Sequence, residues 1–395
     1  LDNELEGRVK NPKRIFVLTL SFGAGHVRAA QAIAAEFQRQ IPDAELQLID
    51  ALENCSFLFR IFYVWTYWAM IRCAPHIWDK FFATRIQKQH EQTAPIWAWR
   101  KGCRRVFDDI KRFKPDLIVA CEVGACEIAV IAKRERLTSA EIVNVITDFE
   151  AEPIWVKPKI SNFFVAAECV AEQLENWGVK AEKIKVCGIP LDESFSRRFD
   201  AGETRRKFGL DKRPIVLLMG GGMGPTRMDA VAAELLRNGK NLQIVALPGK
   251  DKNARRKLEK LKNTATVSLK ILAWTNDVAA LMQAADALAT KPGGVTLNEA
   301  AVCGVPLVLF DAIPGPETEN AKHFIEQGAG INTNGEEKTA EAILKILENP
   351  QSRFEMARNI KKLAQPEAAR RIVQAVIESE SEKTNQRSAK SVVGV

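Results

Sequence analysis

A chain of 395 residues is longer than one hydrophobic core usually supports, so two domains are expected, each with a core of its own. With 46% hydrophobic and 27% charged residues and a net charge of +8, the composition excludes a disordered, collagenous or strongly polycationic chain. The eight cysteines form no C-x-x-C pair and fit neither a zinc knuckle nor a disulfide scaffold, so they read as reduced thiols in a cytoplasmic protein.

In chain order, the opening Leu1 to Asn11 is polar and charged, unlike a secretory signal. An apolar run, "RIFVLTL", then leads through the glycine turn "SFGAGH" (Ser21 to His26) into an Ala-rich helix, and a second strand, "AELQLID", ends at Asp50. A segment at about 55–105 breaks this rhythm. It is crowded with aromatics, Trp65 and Trp68 among them, and closes on Arg100, Lys101, Arg104 and Arg105. Such a surface suits the headgroup boundary of an anionic bilayer, and the same aromatics suit the core of a helical insertion; both readings stay open. Its longest apolar stretch, Phe57 to Ile71, is interrupted by Arg60 and too short to cross about 30 Å of hydrocarbon.

Beyond it come "DLIVA", "EIVNVIT", "NFFVAA" and "IKVC", then a charged linker from Asp192 to Gly209, then "PIVLLM", "LQIVAL", "VSLKIL", "ADALAT" and "VPLVLF". Short, continuously apolar strands alternating with helices predict parallel sheets covered on both faces, hence two doubly wound α/β domains. We place them at 1–195 and 205–365, with a C-terminal helix at 366–378 and a polar tail at 379–395 expected to be disordered.

Three glycine-rich turns each follow a strand and precede a helix: "SFGAGH", "GGGMGP" (Gly220 to Pro225) and "KPGG" (Lys291 to Gly294). Glycine lets backbone N–H groups approach a phosphate, and the following helix adds partial positive charge. A dinucleotide fingerprint at the first turn, with Asp50 on a ribose, is disfavoured because Arg28 stands where the third small residue belongs. In the third turn the helix opens near Val295 and Glu299 follows about one turn later, placed to accept two hydrogen bonds from a ribose diol; the plain alternative is a glutamate favouring the helix dipole.

These motifs carry a resemblance. "SFGAGH", "VITDFEAEPIW", "CGIPLDESF" and "KPGGVTLNEA" with "GVPLVLFDAIPGPETEN" resemble the monogalactosyldiacylglycerol synthase and diacylglycerol glucosyltransferase family, over about Arg14 to Gly330. The resemblance implies GT-B architecture, two Rossmann-like domains facing a central cleft. It implies that Gly220, Gly221, Gly222, Met223, Gly224, Lys291, Gly293 and Gly294 surround a UDP diphosphate, and that Glu299 binds the uridine ribose. Trp274 and Thr275 would embrace the uracil, Glu317 and Asn320 would contact the donor sugar, and His26 would be the general base. Gly23 and Gly25 would floor the acceptor site, with Trp65, Trp68 and Trp155 on the acceptor or membrane side. Two departures are visible: Pro316 replaces an amide next to Glu317, and Glu152 stands where the family tends to have a histidine before Trp155.

A histidine also suits the chemistry on its own terms. An inverting sugar transfer needs a base for the acceptor hydroxyl's proton and a polar cradle for the departing diphosphate; histidine titrates near neutrality, and a helix N-terminus favours its neutral form. Asp148, at a strand's carboxyl end, would orient His26 or bind the acceptor hydroxyl, unless it only forms a turn. No D-x-D pair or histidine cluster suggests a metal, and no cofactor is expected. The expectation is therefore a UDP-sugar-dependent hexosyltransferase acting on diacylglycerol, peripheral to the cytoplasmic membrane face and not binding nucleic acid. Alternatives are a UDP-sugar epimerase, a transferase to another lipid, or a non-catalytic membrane module with a nucleotide pocket.

Overall fold

A computed structural model describes residues 12–21, 23–73, 94–221 and 226–379, with Tyr67, Trp68 and 70–73 described by backbone alone. Gly222, Met223 and Gly224, the side chain of Trp68 and the tail 380–395 lie outside the described residues.

Twelve strands form two six-stranded sheets. The first contains β1 (Arg14–Thr19), β2 (Glu45–Asp50), β3 (Leu117–Ala120), β4 (Glu141–Val145), β5 (Asn162–Val165) and β6 (Ile184–Val186), in the order β2-β1-β3-β4-β5-β6. The second contains β7 (Ile215–Met219), β8 (Leu242–Leu247), β9 (Val267–Ile271), β10 (Ala287–Thr290), β11 (Leu307–Leu309) and β12 (Gly330–Asn332), in the order β12-β11-β10-β7-β8-β9. Every pairing is parallel. The central strands β3 and β7 are buried along their whole length, which is why they read as unbroken apolar runs rather than as alternating ones.

Strand order reverses between β1 and β3 in the first sheet and between β10 and β7 in the second. At such reversals the helices diverge to opposite faces and leave a crevice at the strands' carboxyl ends. The turn after β1 leads to His26, the turn after β7 begins at Gly220, and the turn after β10 is Lys291 to Gly294. Parallel-sheet topology thus puts all three glycine turns at crevices.

The two halves share apolar packing: Ala29, Phe149, Ile189 and Leu191 from the first join Val295, Leu297 and Ala300 of the second in one buried cluster. A C-terminal helix at 368–379 turns back to the first half, where Ile372, Val373 and Val376 pack with Ile15, Val17, Phe37 and Phe164.

The aromatic segment resolves into a helix, Phe57–Cys73, with two unlike sides. Phe59 and Tyr63 stack on each other and meet the fully buried Trp99, whose indole N–H donates to Glu127 at 3.0 Å. Phe57, Leu58, Ile61, Phe62 and Trp65, spaced along the opposite side, are exposed, as is Trp97. The reading of all cysteines as thiols is corrected: Cys55 and Cys103 form a disulfide across 48 residues. The aromatic helix and its short neighbour Ile96–Gly102 bring them together, an approach that residue spacing does not reveal.

Candidate active site

Two joined cavities lie where the halves meet. One is lined by Gly25, Arg28, Gly221, Trp274, Thr275 and Glu299; the other by His26, Thr147, Asp148, Lys291, Gly293 and Glu317. Gly25, Gly221, Val295 and Thr296 border both, so a ligand with one end in each would run along this seam.

His26 sits in the first turn of the helix Ala24–Gln40. Its Nδ1 lies 2.7 Å from the Thr147 hydroxyl, which can donate or accept as the ring's tautomer requires. Burial holds the imidazole below its ordinary value, against the opposing pull of the Asp148 carboxylate and the Cys121 backbone. The ring is therefore neutral at pH 7 and able to accept a proton. Asp148 acts on His26 through its charge, and its Oδ1 accepts a hydrogen bond from Asn320 of the other half.

Asn320 is fully buried and its amide is committed: the oxygen accepts the Phe149 N–H at 2.6 Å, and the nitrogen donates to Asp148 at 2.8 Å and to the Pro292 carbonyl at 3.1 Å. In this arrangement Asn320 joins the halves. The assignment of Trp155 to the acceptor or membrane side is corrected; it is 5% exposed and packs inside the first half's core, so no membrane reaches it. Trp65, by contrast, is 66% exposed.

On the opposite wall, Gly221 has φ +74, a conformation that favours glycine, and faces the Lys291 side chain. Lys291 is buried and held below its ordinary value by desolvation, although the carboxylates of Glu317, Asp311 and Asp251 pull it back up. Glu317 accepts the Ile313 N–H, and burial pushes its carboxyl up to about 7. Pro316 lines the same wall. The paired glycines differ: a Cβ on Gly293 would meet nothing within 4 Å, whereas one on Gly294 would lie 2.2 Å from the Thr147 carbonyl oxygen. Gly294 is one point at which the halves touch.

In the neighbouring cavity Glu299 is buried at 2% exposure, and desolvation pushes it up to about 7. Its Oε1 is 3.2 Å from Arg28 Nη1. Trp274 is exposed, and the Thr275 hydroxyl caps Asp277. Thr147 and Arg28 are the site residues that sequence reasoning missed. Thr147 had a signal, a hydroxyl at the carboxyl end of an apolar run, but Arg28 registered only as a mismatch to a glycine pattern.

Family comparisons divide the chain as the sheets do: residues 26–191 match monogalactosyldiacylglycerol (MGDG) synthase and residues 201–363 match glycosyl transferases group 1. A processive diacylglycerol beta-glucosyltransferase of Bacillus licheniformis is 28% identical over 370 residues, covering 93% of this chain and 95% of the relative. The chain resembles the monogalactosyldiacylglycerol synthase and diacylglycerol glucosyltransferase family. Among solved structures, MurG of Acinetobacter baumannii matches with a TM-score of 0.59 at 17% identity, covering 93% of this chain and all of that one. A UDP-N-acetylglucosamine 2-epimerase matches with a TM-score of 0.58 at 14% identity, covering 92% and 95%. The double-Rossmann GT-B architecture is thereby shown. Because it is shared by an epimerase, the fold alone does not select the reaction.

Proposed function

We propose that the protein is an inverting glycosyltransferase that moves a hexose from a UDP-sugar to the hydroxyl of a diacylglycerol-type lipid at a membrane surface. The observation that carries this reading is one continuous seam, with neutral His26 at one end and Glu299 with Trp274 at the other. UDP lies along the second half, its ribose diol donating to Glu299, its uracil beside Trp274, and its diphosphate against the Gly221 and Gly293 turns and the start of the helix Gly294–Cys303. The lipid hydroxyl attacks the anomeric carbon as His26 takes its proton; the bond from that carbon to the diphosphate oxygen breaks, and UDP leaves on the opposite face. Backbone donors, the helix dipole and Lys291 stabilise the leaving charge. Among the described residues no cluster of side chains is arranged to hold a metal ion.

Relatives named for diacylglycerol glucosyl transfer favour this over epimerisation. Incubation with a panel of UDP-hexoses and diacylglycerol vesicles is expected to yield a labelled lipid; a new UDP-sugar with no labelled lipid overturns the proposal in favour of an epimerase.

The exposed side of the helix Phe57–Cys73 supplies the lipid contact. Among the described residues no helix is long and apolar enough to cross a membrane, so this face works by partial insertion, with Arg60 beside Phe57 for anionic headgroups. Replacing Phe62 and Trp65 together by Ser is expected to weaken binding to anionic vesicles about tenfold or more, since each ring contributes roughly 1.5–3 kcal/mol on burial. UDP affinity should be unchanged. Equal vesicle partition before and after would return this face to another partner.

A further inference from the structure

Arg28 belongs to the first half but lies in the nucleotide cavity of the second. Its guanidinium reaches across the seam to Glu299 at 3.2 Å and lies over the Trp274 ring, 5.4 Å from the centroid. It projects from the rigid helix Ala24–Gln40, and its side chain is 32% exposed against 3% for Glu299. The pair is thus lopsided, a deep carboxylate met by a partly exposed cation from the cleft.

We propose that Arg28 is the cross-cleft cation of the nucleotide site: it holds Glu299 while the cleft is empty, yields that carboxylate to the ribose diol, and then pairs with the diphosphate. This rests on the reading of the seam as a nucleoside-diphosphate site. Three observations lead to it. A ribose diol that donates to both oxygens of Glu299 shares Oε1 with Arg28, so the two compete for that oxygen. Lys291, the buried cation of the neighbouring cavity, already feels the charges of Glu317, Asp311 and Asp251, so its charge is not left for a diphosphate alone. The ring beneath Arg28 is the one assigned to uracil, so a base stacking on Trp274 displaces the guanidinium as well. A guanidinium released at both contacts stays on a stem anchored at the cleft, where its planar fork fits two phosphate oxygens better than a lysine would.

Exchange of partners also gives the second half's ligand a handle on the first. Uridine alone would take Glu299 from Arg28 and offer it nothing in return; UDP offers a replacement anion. The distinguishing quantity is therefore the ratio of UDP to uridine affinity.

Isothermal titration of the full chain and of Arg28→Gln with UDP and with uridine tests this, at about pH 8.5 so that Glu299 stays ionised without its arginine. The wild type should bind UDP more tightly than uridine. Arg28→Gln is expected to weaken UDP by about tenfold while uridine stays within about threefold or tightens, and Arg28→Lys should fall between wild type and Arg28→Gln for UDP. Equal losses for UDP and uridine would make Arg28 a structural partner of Glu299 only, and unchanged UDP affinity would remove it from the diphosphate; either overturns the inference. A wild type that binds neither ligand overturns the nucleotide reading itself, an outcome separate from both.

Discussion

His26→Ala is expected to lower sugar transfer by roughly two to four orders of magnitude, the range typical of losing a positioned general base. UDP affinity should remain within about threefold, because His26 borders the reaction end of the seam and not the cavity of Glu299 and Trp274. The acid limb follows from the same geometry. Desolvation lowers the imidazole's pKa below 6.5, so the ring is neutral throughout the neutral range and is lost as a base only when pH falls through that lowered value. Turnover at saturating substrate should therefore be flat near neutrality and decline only further to the acid side, as pH falls through the lowered imidazole value. Transfer in His26→Ala within tenfold of wild type, measured as lipid product per enzyme, would sink the base assignment. Thr147→Val isolates positioning: it removes the hydroxyl at 2.7 Å while keeping the shape, and a loss of about tenfold in kcat with KM little altered is expected.

The pH dependence of nucleotide binding is separate and has its own sign. Glu299, raised to about 7, must be ionised to accept the ribose diol, so UDP affinity is expected to improve as pH rises through that value. Because the acidic limits of binding and of turnover differ, titration of UDP alone and the pH profile of turnover separate Glu299 from His26.

Why one part of this site was readable and another was not follows from how far apart its contacts lie in the chain. Strands such as Ile215–Met219 are buried on both faces, so each announces itself as a local apolar run, and the turns that follow them carry their own glycines. Gly330–Asn332 escaped notice because it is a three-residue edge strand that includes a glycine. The site's working contacts have no local signature. His26 meets Thr147 across 121 positions, Asp148 meets Asn320 across 172, and Arg28 meets Glu299 across 271. Asn320 shows what reading residues singly leaves out: its place next to a donor-sugar motif suggested a ligand contact, and nothing local announced that its amide also joins the halves. The aromatic helix shows the converse, since its composition marked it as unusual while only packing against Trp99 tells which side is core.

Adjacent glycines in the third turn should respond differently to the same methyl group. At Gly294 the added Cβ would lie 2.2 Å from the Thr147 carbonyl oxygen and 3.1 Å from the Asp148 Cα, both backbone atoms that cannot swing aside. The first half must then back away from the second, taking with it His26, which is held by Thr147, and breaking the Asn320 contacts to Asp148 and Phe149. A displacement near 1 Å at a reacting centre costs on the order of 100-fold, so Gly294→Ala is expected to lose transfer by about that factor. UDP affinity should fall by no more than about tenfold, the share assigned to Arg28 of the first half, because Glu299, Trp274 and the turn after β7 all belong to the undisturbed second half. At Gly293 no atom stands within 4 Å and φ is −71, which any residue adopts, so Gly293→Ala leaves the halves in place. Its methyl group instead faces the diphosphate position, and the expected loss is in UDP affinity, with kcat at saturating donor changed less than about threefold. The pair thus separates closure from phosphate binding within one turn. Coincident losses in both parameters for both variants would mean that the turn serves a single purpose and that Gly294 is not a point of closure.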